Sequence, residues 1–333
     1  MTIYDLAKQL DISPGTVSRA LKNDPKVASR TRAQVNALAQ SYGFKPSEQA
    51  RNLRLGKSSL VAVVVYSTTS EFWGGIVHAI EKVFGENYSV ILCNSDGSLE
   101  KEKNIIQLLV QRQVAAVFIQ PASVRLEHLE EISRNGIRVV LFERTINSFL
   151  PFVKGDDVKS TNMLVNQCID DGHRRLAILS FKTEIIGVKD RVDSFWTAVK
   201  AQGIERNCAD FILEEETQEA IRRIVLPHAL EFSAIFCTKD MLACMLMKEL
   251  ELAGIPNERR PSLVCWSNNP ALEYLSPPLA SVRVPVDEMG TTAARYVLNC
   301  EKGGAEQMQC LLEQEIILRA SYHTLTSKKG ELQ

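Results

Sequence analysis

The sequence predicts an α/β protein: a small all-helical head followed by a larger body of two parallel α/β units. Three observations carry this expectation. Two short helix signals open the chain, "TIYDLAKQL" and "SPGTVSRAL", too close together for a core between them. From residue 60 onward, short β-branched apolar runs alternate with amphipathic helical stretches. At 333 residues the chain also exceeds one comfortable domain.

In the head, Thr2 followed by Asp5 has the form of a capping box, and Ile3, Leu6, Ala7 and Leu10 fall on one helical face over residues 3–10. Ser13 is a good N-cap and Pro14 suits the first helical position, so a second helix follows, with Val17, Ala20 and Leu21 inward. A third helix over about 30–42 buries Val35, Leu38 and Ala39 and stops at Gly43. Three short helices around one small core, with the start of the second left free, predict a helix-turn-helix. Thr16, Ser18 and Arg19 would then face phosphates and base edges, aided by the helix N-terminus. Residues 46–57, "PSEQARNLRLGK", predict a short helix ordered by DNA, capped by Ser47, with Ala50 and Leu53 on one face and Leu53 able to wedge between base steps.

In the body, "LVAVVVY", "SVILC", "AAVFI" and "RVVLF" predict four strands, with helices near 72–86, 99–112 and 125–135 between them. "LAILSF", "SAIFC" and "SLVCW" predict a second set, with helices near 158–171, 188–202, 217–229 and 239–253. Continuous apolar strands imply parallel sheets covered on both faces. Two such units imply a cleft between them, at the carboxyl ends of the strands. The acidic run Glu214-Glu215-Glu216 is expected to start a helix.

Charge is distributed unevenly. Residues 1–57 carry ten basic side chains against four acidic ones, and the remainder carries 29 against 36. A basic head on an acidic body is the footprint of a polyanion-binding module joined to something else. No apolar run approaches 18 residues, so no membrane-spanning helix is expected, and "MTIYDLAKQ" has no apolar signal core, which predicts a cytoplasmic protein. The eight cysteines form no C-x-x-C pair and read as reduced thiols. None of the five histidines (His78, His128, His173, His228, His323) has a partner at metal-ligand or triad spacing. There is no G-x-G-x-x-G after the first strand and no P-loop, so neither a nucleotide cofactor nor an enzyme is expected.

Residues 2–57, "TIYDLAK…SPGTVSRALKNDPKV…TR…YGFKPSEQARNLRLGK", resemble the head of the LacI/GalR-type (lactose/galactose repressor) family of bacterial transcription regulators. The resemblance implies a sequence-specific regulator, in most cases a repressor, acting as a homodimer on a near-palindromic operator. It implies DNA contacts from Ser13, Pro14, Gly15, Thr16, Ser18, Arg19 and Lys22 around the recognition helix, backbone contacts from Tyr4 and Thr31, and minor-groove contacts from Ala50 and Leu53. The family's Ser-Pro before the third helix is replaced by Ala28-Ser29, which moves the expected cap to Ser29.

The body resembles the same family and the periplasmic sugar-binding proteins, in "DDGHRRLAIL", "KDRVDSF", "CTKDMLACMLMKELELAGIP" and "LSPPLASVRVPVDEMGTTAARYVL". This implies a periplasmic-binding-protein-like architecture over 59–322, with one subdomain at about 60–157 plus 288–320 and the other at about 158–287. Domains are thus expected at 1–45 (head), 46–58 (hinge), 59–322 (body) and 323–333 (tail). The tail has no leucine heptad, so the extra tetramerising helix of some members is expected to be absent. The implied effector site holds Phe72, Trp73, Asp96, Arg144, Arg191, Lys239, Asp240, Trp266, Ser267 and Asn268. Two departures stand out: Lys239 replaces the usual Asn, and "G-F-D-D" reads Cys265-Trp266-Ser267-Asn268, which removes a sugar-binding carboxylate. Gaining a cation and losing an anion moves the expected effector from a neutral sugar toward a sugar acid or sugar phosphate, unless Lys239 faces solvent or pairs with Glu71. The alternatives are a carbohydrate-binding protein without a regulatory DNA function, or a regulator controlled by a protein partner.

Overall fold

The computed structural model describes residues 2–44, 58–143, 148–183, 186–267, 269–301, 303–304 and 308–325. The chain divides into two compact units, residues 1–59 and 60–333. The expected hinge helix with Ala50 and Leu53, and the effector candidates Arg144 and Asn268, lie outside the described residues.

In the first unit, α1 (Ile3–Leu10), α2 (Pro14–Leu21) and α3 (Ser29–Ser41) enclose a core of Leu6, Val17, Ala20 and Val35. The Thr2/Asp5 capping box forms in both directions, and the Ser13 hydroxyl accepts the Thr16 N–H at 3.0 Å. The expected cap at Ser29 does not form. Ser29 is already helical, and Ala28 stands at the N-cap without a side-chain bond.

In the second unit, β1 (Leu60–Val65), α4 (Glu71–Phe84), β2 (Ser89–Asn94), α5 (Leu99–Gln111), β3 (Ala116–Ile119), α6 (Glu127–Arg134), β4 (Arg138–Phe142) and β5 (Phe152–Gly155) build the first subdomain. The second contains α7 (Asp157–Asp170), β6 (Leu176–Phe181), α8 (Ile186–Ala201), β7 (Ala209–Leu213), α9 (Gln218–Ala220), β8 (Ala234–Cys237), α10 (Asp240–Leu252), β9 (Ser262–Trp266) and β10 (Ala280–Arg283). The chain then returns through α11 (Val286–Glu301) and β11 (Gln309–Leu312) before β12 (Glu315–Ile317). Among the described residues the strands form two sheets, ordered β11-β5-β4-β3-β1-β2 and β12-β10-β9-β8-β6-β7. Every pairing is parallel except β12 against β10. The apolar β1 run is buried from Val61 to Val65, as a strand covered on both faces must be.

Two boundaries differ from the sequence-based expectation. Because β12 joins the second sheet, the third crossing between subdomains falls at residues 313–314, not near 320. Glu214–Glu216 do not start a helix. Thr217 caps α9 through the Ala220 N–H, and the acidic run is the loop that leaves β7. No helix among the described residues is long and apolar enough to cross a membrane.

Helices α4 and α11 lie against each other at closely fitted glycines. A Cβ on Gly290 would stand 2.6 Å from the Ile76 carbonyl oxygen and 2.8 Å from the Ala79 Cβ. Backbone cannot yield as a side chain can. Gly290→Ala is therefore expected to lower the stability of the body by about 1–3 kcal/mol, the cost of overpacking a filled core. Urea denaturation should show it beside Gly74→Ala, whose new methyl meets nothing within 4 Å.

Candidate DNA-binding surface and effector cleft

On the head, Val17 and Ala20 turn inward and leave Ser13, Gly15, Arg19 and Lys22 exposed, with Pro14, Thr16 and Ser18 partly so. Arg19 donates from Nε to the Gly15 carbonyl at 3.3 Å. Tyr4 is 71% exposed, an unusual position for a large ring with no partner within the fold. Thr31 lies in the first turn of α3. The head thus presents polar and cationic groups around one helix N-terminus, an arrangement suited to phosphates and base edges.

In the body a cleft of about 1080 Å³ opens at the carboxyl ends of both sheets. Tyr66, Gln120 and Glu143 line it just beyond β1, β3 and β4. Phe181, Lys239 and Ser267 line it beside β6, β8 and β9. Of the residues expected from sequence, Phe72, Trp73, Arg191, Lys239, Asp240, Trp266 and Ser267 meet here. Asp96 does not. It follows β2, the outer strand of its sheet, in a left-handed turn, and its exposed carboxylate binds Lys101 and the Asn94 amide instead. The lining residues that sequence reading missed include Glu143, Gly187, Glu216 and Phe181. Glu143 and Phe181 stand at strand ends, which was the available signal, whereas Gly187 lies in α8 and Glu216 in the loop after β7.

Arg191 is buried and fixed from two sides. Its Nε donates to Asp157 Oδ1 at 2.8 Å and its Nη1 to the Thr238 carbonyl at 2.8 Å. The guanidinium also lies 5.4 Å from the centre of the Trp266 ring. Trp73 is only 4% exposed and stands edge-on to Phe72 and Phe142, so Phe72 is the more accessible aromatic of the pair. Asp240 accepts a hydrogen bond from the Ser267 hydroxyl at 2.8 Å. Thus Ser267, standing where a carboxylate was expected, orients the carboxylate of Asp240.

Lys239 pairs with Glu216 at 3.0 Å and lies 4.4 Å from the centre of the Phe181 ring. Its side chain is still 37% exposed, and its carboxylate partner is Glu216 rather than Glu71. Among the described lining residues, four carboxylates (Glu71, Glu143, Glu216, Asp240) face two cations, Arg191 and Lys239, and both cations already hold a carboxylate. Burial, reinforced by the nearby Asp157 charge, raises the Glu143 carboxyl to about 7.

Comparison with known proteins agrees with this geometry. Residues 2–47 match the family model "Bacterial regulatory proteins, lacI family", and residues 165–322 match "Periplasmic binding protein-like domain". The HTH-type transcriptional repressor PurR of Photobacterium profundum is 25% identical, over 97% of this chain and 99% of its own. The ribose operon repressor of Halalkalibacterium halodurans is 25% identical, over 99% and 98%. Among solved structures, the Lac repressor dimer bound to operator and the anti-inducer ONPF superposes with a TM-score of 0.83 at 17% identity, covering 96% of this chain and 98% of that one. A LacI family regulator of Enterococcus faecium with bound ribose superposes at 0.71 and 22% identity, covering 80% and 100%. A helix-turn-helix head of the lacI family joined to a periplasmic-binding-protein-like body, in a chain matched along its length by repressors, makes this protein a DNA-binding transcription regulator.

Proposed function

We propose that this regulator is a cytoplasmic homodimeric repressor whose hold on a near-palindromic operator is set by a small, uncharged, hydroxyl-rich effector in the cleft. The observation that carries the effector class is the commitment of both cleft cations, Arg191 to Asp157 and Lys239 to Glu216. An anionic sugar acid or phosphate would have to share cations that already hold carboxylates and sit among the surplus carboxylates of the described lining, a like-charge penalty. Hydroxyl pairs suit such a lining, because each can donate to a carboxylate and accept from a guanidinium. The ribose operon repressor among the relatives and the ribose-bound neighbour support the same class. Three crossings join the two subdomains, at residue 156, residues 284–285 and residues 313–314, which is the connectivity of a cleft that closes by hinging. A ligand that prefers one hinge state over the other shifts the population and with it the DNA affinity.

A thermal-shift screen of the purified chain against matched neutral sugars, sugar acids and sugar phosphates tests the effector class. A neutral sugar at 100 times its Kd is expected to stabilise the protein by about 2.7 kcal/mol, with no shift from the charged partners. Shifts confined to the acids or phosphates would reverse the proposed class. Silence across the whole panel, with operator binding intact, would move control to a protein partner.

A further inference from the structure

Glu143 is built unlike its neighbours. It follows β4 with φ at +56°, a left-handed backbone that a glutamate rarely adopts and that costs about 1 kcal/mol or more to hold. The turn directs a carboxylic side chain into the protein, where the residue is only 6% exposed. There Oε1 accepts the Gly155 N–H at a long 3.4 Å. The other oxygen faces Gly187 on α8. A Cβ placed on Gly187 would stand 2.8 Å from Glu143 Oε2 and 3.1 Å from Asp157 Oδ2, so both carboxylates lie against the same position of α8. Asp157 is fully buried, and its Oδ2 has no hydrogen-bond partner, although Oδ1 accepts from both Arg191 and the Gln314 amide.

The charges around this position come from four elements. Glu143 follows β4, Lys154 is in β5, Asp157 starts α7, and Asp190 and Arg191 are in α8. Lys154 is nearly buried and bound to Asp190, while Arg191 is bound to Asp157. Among the described residues three carboxylates therefore face two cations, and a single proton makes that set neutral. Glu143 belongs to the first subdomain and Asp157 to the second, and Gln314 sits at the third crossing. The cluster spans the hinge.

We propose that Glu143 carries a proton where it faces Asp157 across the hinge, forming a latch between the two subdomains that holds when protonated and loosens when the proton leaves. The proton makes Glu143 neutral against the Asp157 carboxylate, one oxygen of which has no partner among the described residues. Losing it leaves two buried anions beside Gly187, which pushes the subdomains apart and strengthens the carboxylate pull on Arg191. Glu143 is thus a positioning residue for Arg191. This role rests on reading the cleft as the effector site, but the proton on Glu143 does not.

The sign of the linkage follows from burial. The Glu143 carboxyl is raised from 4.5 to about 7 in the folded chain. Between those values the folded chain keeps a proton that the unfolded chain releases, so stability falls as pH rises through this window and levels off above it. Glu143→Gln keeps the shape and removes the titration. Melting of the full chain from pH 5 to pH 8.5 is expected to show the variant gaining on wild type by about 5 °C or more across the window. Infrared difference spectra of wild type are expected to carry a protonated-carboxyl band at pH 6 that fades by pH 8.5 and is missing from the variant. Hydrogen exchange at residues 313–314, corrected for intrinsic rates, is expected to be slower at pH 6 than at pH 8 in wild type, and alike at both in the variant. A melting gap that stays flat with pH, or a wild-type spectrum with no such band, would overturn the proton on Glu143. Exchange at the crossing that ignores pH would overturn the latch. Should the variant not fold, the wild-type spectrum and exchange still decide. Failure to bind operator would count against the proposed function and leave these readouts untouched.

Discussion

Replacing Arg191 with alanine is expected to destabilise the body by about 3–5 kcal/mol, the cost of breaking a buried ion pair from one side. The magnitude follows from what stays behind. Asp157 is fully buried, and without the guanidinium its charge keeps only the Gln314 amide, at 3.1 Å. The Thr238 carbonyl loses its Arg191 donor as well. Urea denaturation should therefore show a lower midpoint with an unchanged slope. Two companion variants separate charge from packing. Asp157→Asn on the Arg191→Ala background is expected to recover part of the loss, because it removes the stranded anion rather than restoring a contact. Arg191→Lys is expected to fall between wild type and alanine, since an ammonium is a point donor without the guanidinium's fork that bridges Asp157 and Thr238. If Arg191→Ala cost less than 1 kcal/mol, the pair would be an ornament of the cleft wall, and its role in ordering the site would have to be abandoned.

The same residues show what can be read from sequence here and what cannot. The head was legible because its signals are local: a capping box at Thr2/Asp5 and a Ser-Pro start at Ser13-Pro14 each specify a helix within four residues. The two sheets were legible because a parallel strand buried on both faces writes a continuous apolar run. Arg191, Lys239 and Ser267 were placed in the cleft by resemblance, and they line it. Their partners were not legible. Glu216 is 23 residues from Lys239, in an acidic run that has the composition of a helix start, yet Thr217 takes the cap and leaves Glu216 free to reach across the cleft wall. Charge pairing over such separations depends on the fold, so the departure from the family pattern at Lys239 showed an added cation but not the carboxylate that holds it. The third crossing was hidden for a different reason. "LLEQEII" reads as one interrupted strand, but the polar pair Glu313-Gln314 separates two strands in two different sheets. Asp96 was misplaced because a motif fixes sequence position, whereas strand order decides which turns reach the cleft.

On the head, the largest expected effect is at Arg19. Arg19→Ala is expected to weaken operator binding by about 1–3 kcal/mol per half-site and to relax base preference there. Two copies on a two-fold site double the loss, to roughly a thirtyfold drop at the lower end of that range. The argument rests on how little holds Arg19 back. Its 3.3 Å bond to the Gly15 carbonyl is long, exposed and in competition with water, so releasing the guanidinium toward a guanine edge costs little. Lys22→Ala provides the contrast. Just past the end of α2 and exposed, it suits a phosphate, so its loss should weaken all sequences alike and reduce the salt slope by about one. Fluorescence titrations of the full chain, at several salt concentrations, against a selected site and a scrambled one, measure both quantities. If Arg19→Ala weakened the two DNAs equally, Arg19 would be a phosphate clamp, and base reading would pass to Thr16 and Ser18 on the same exposed turn. If wild type itself failed to distinguish the two, the head would be a backbone binder, and the three-helix geometry would have been read for more specificity than its side chains deliver.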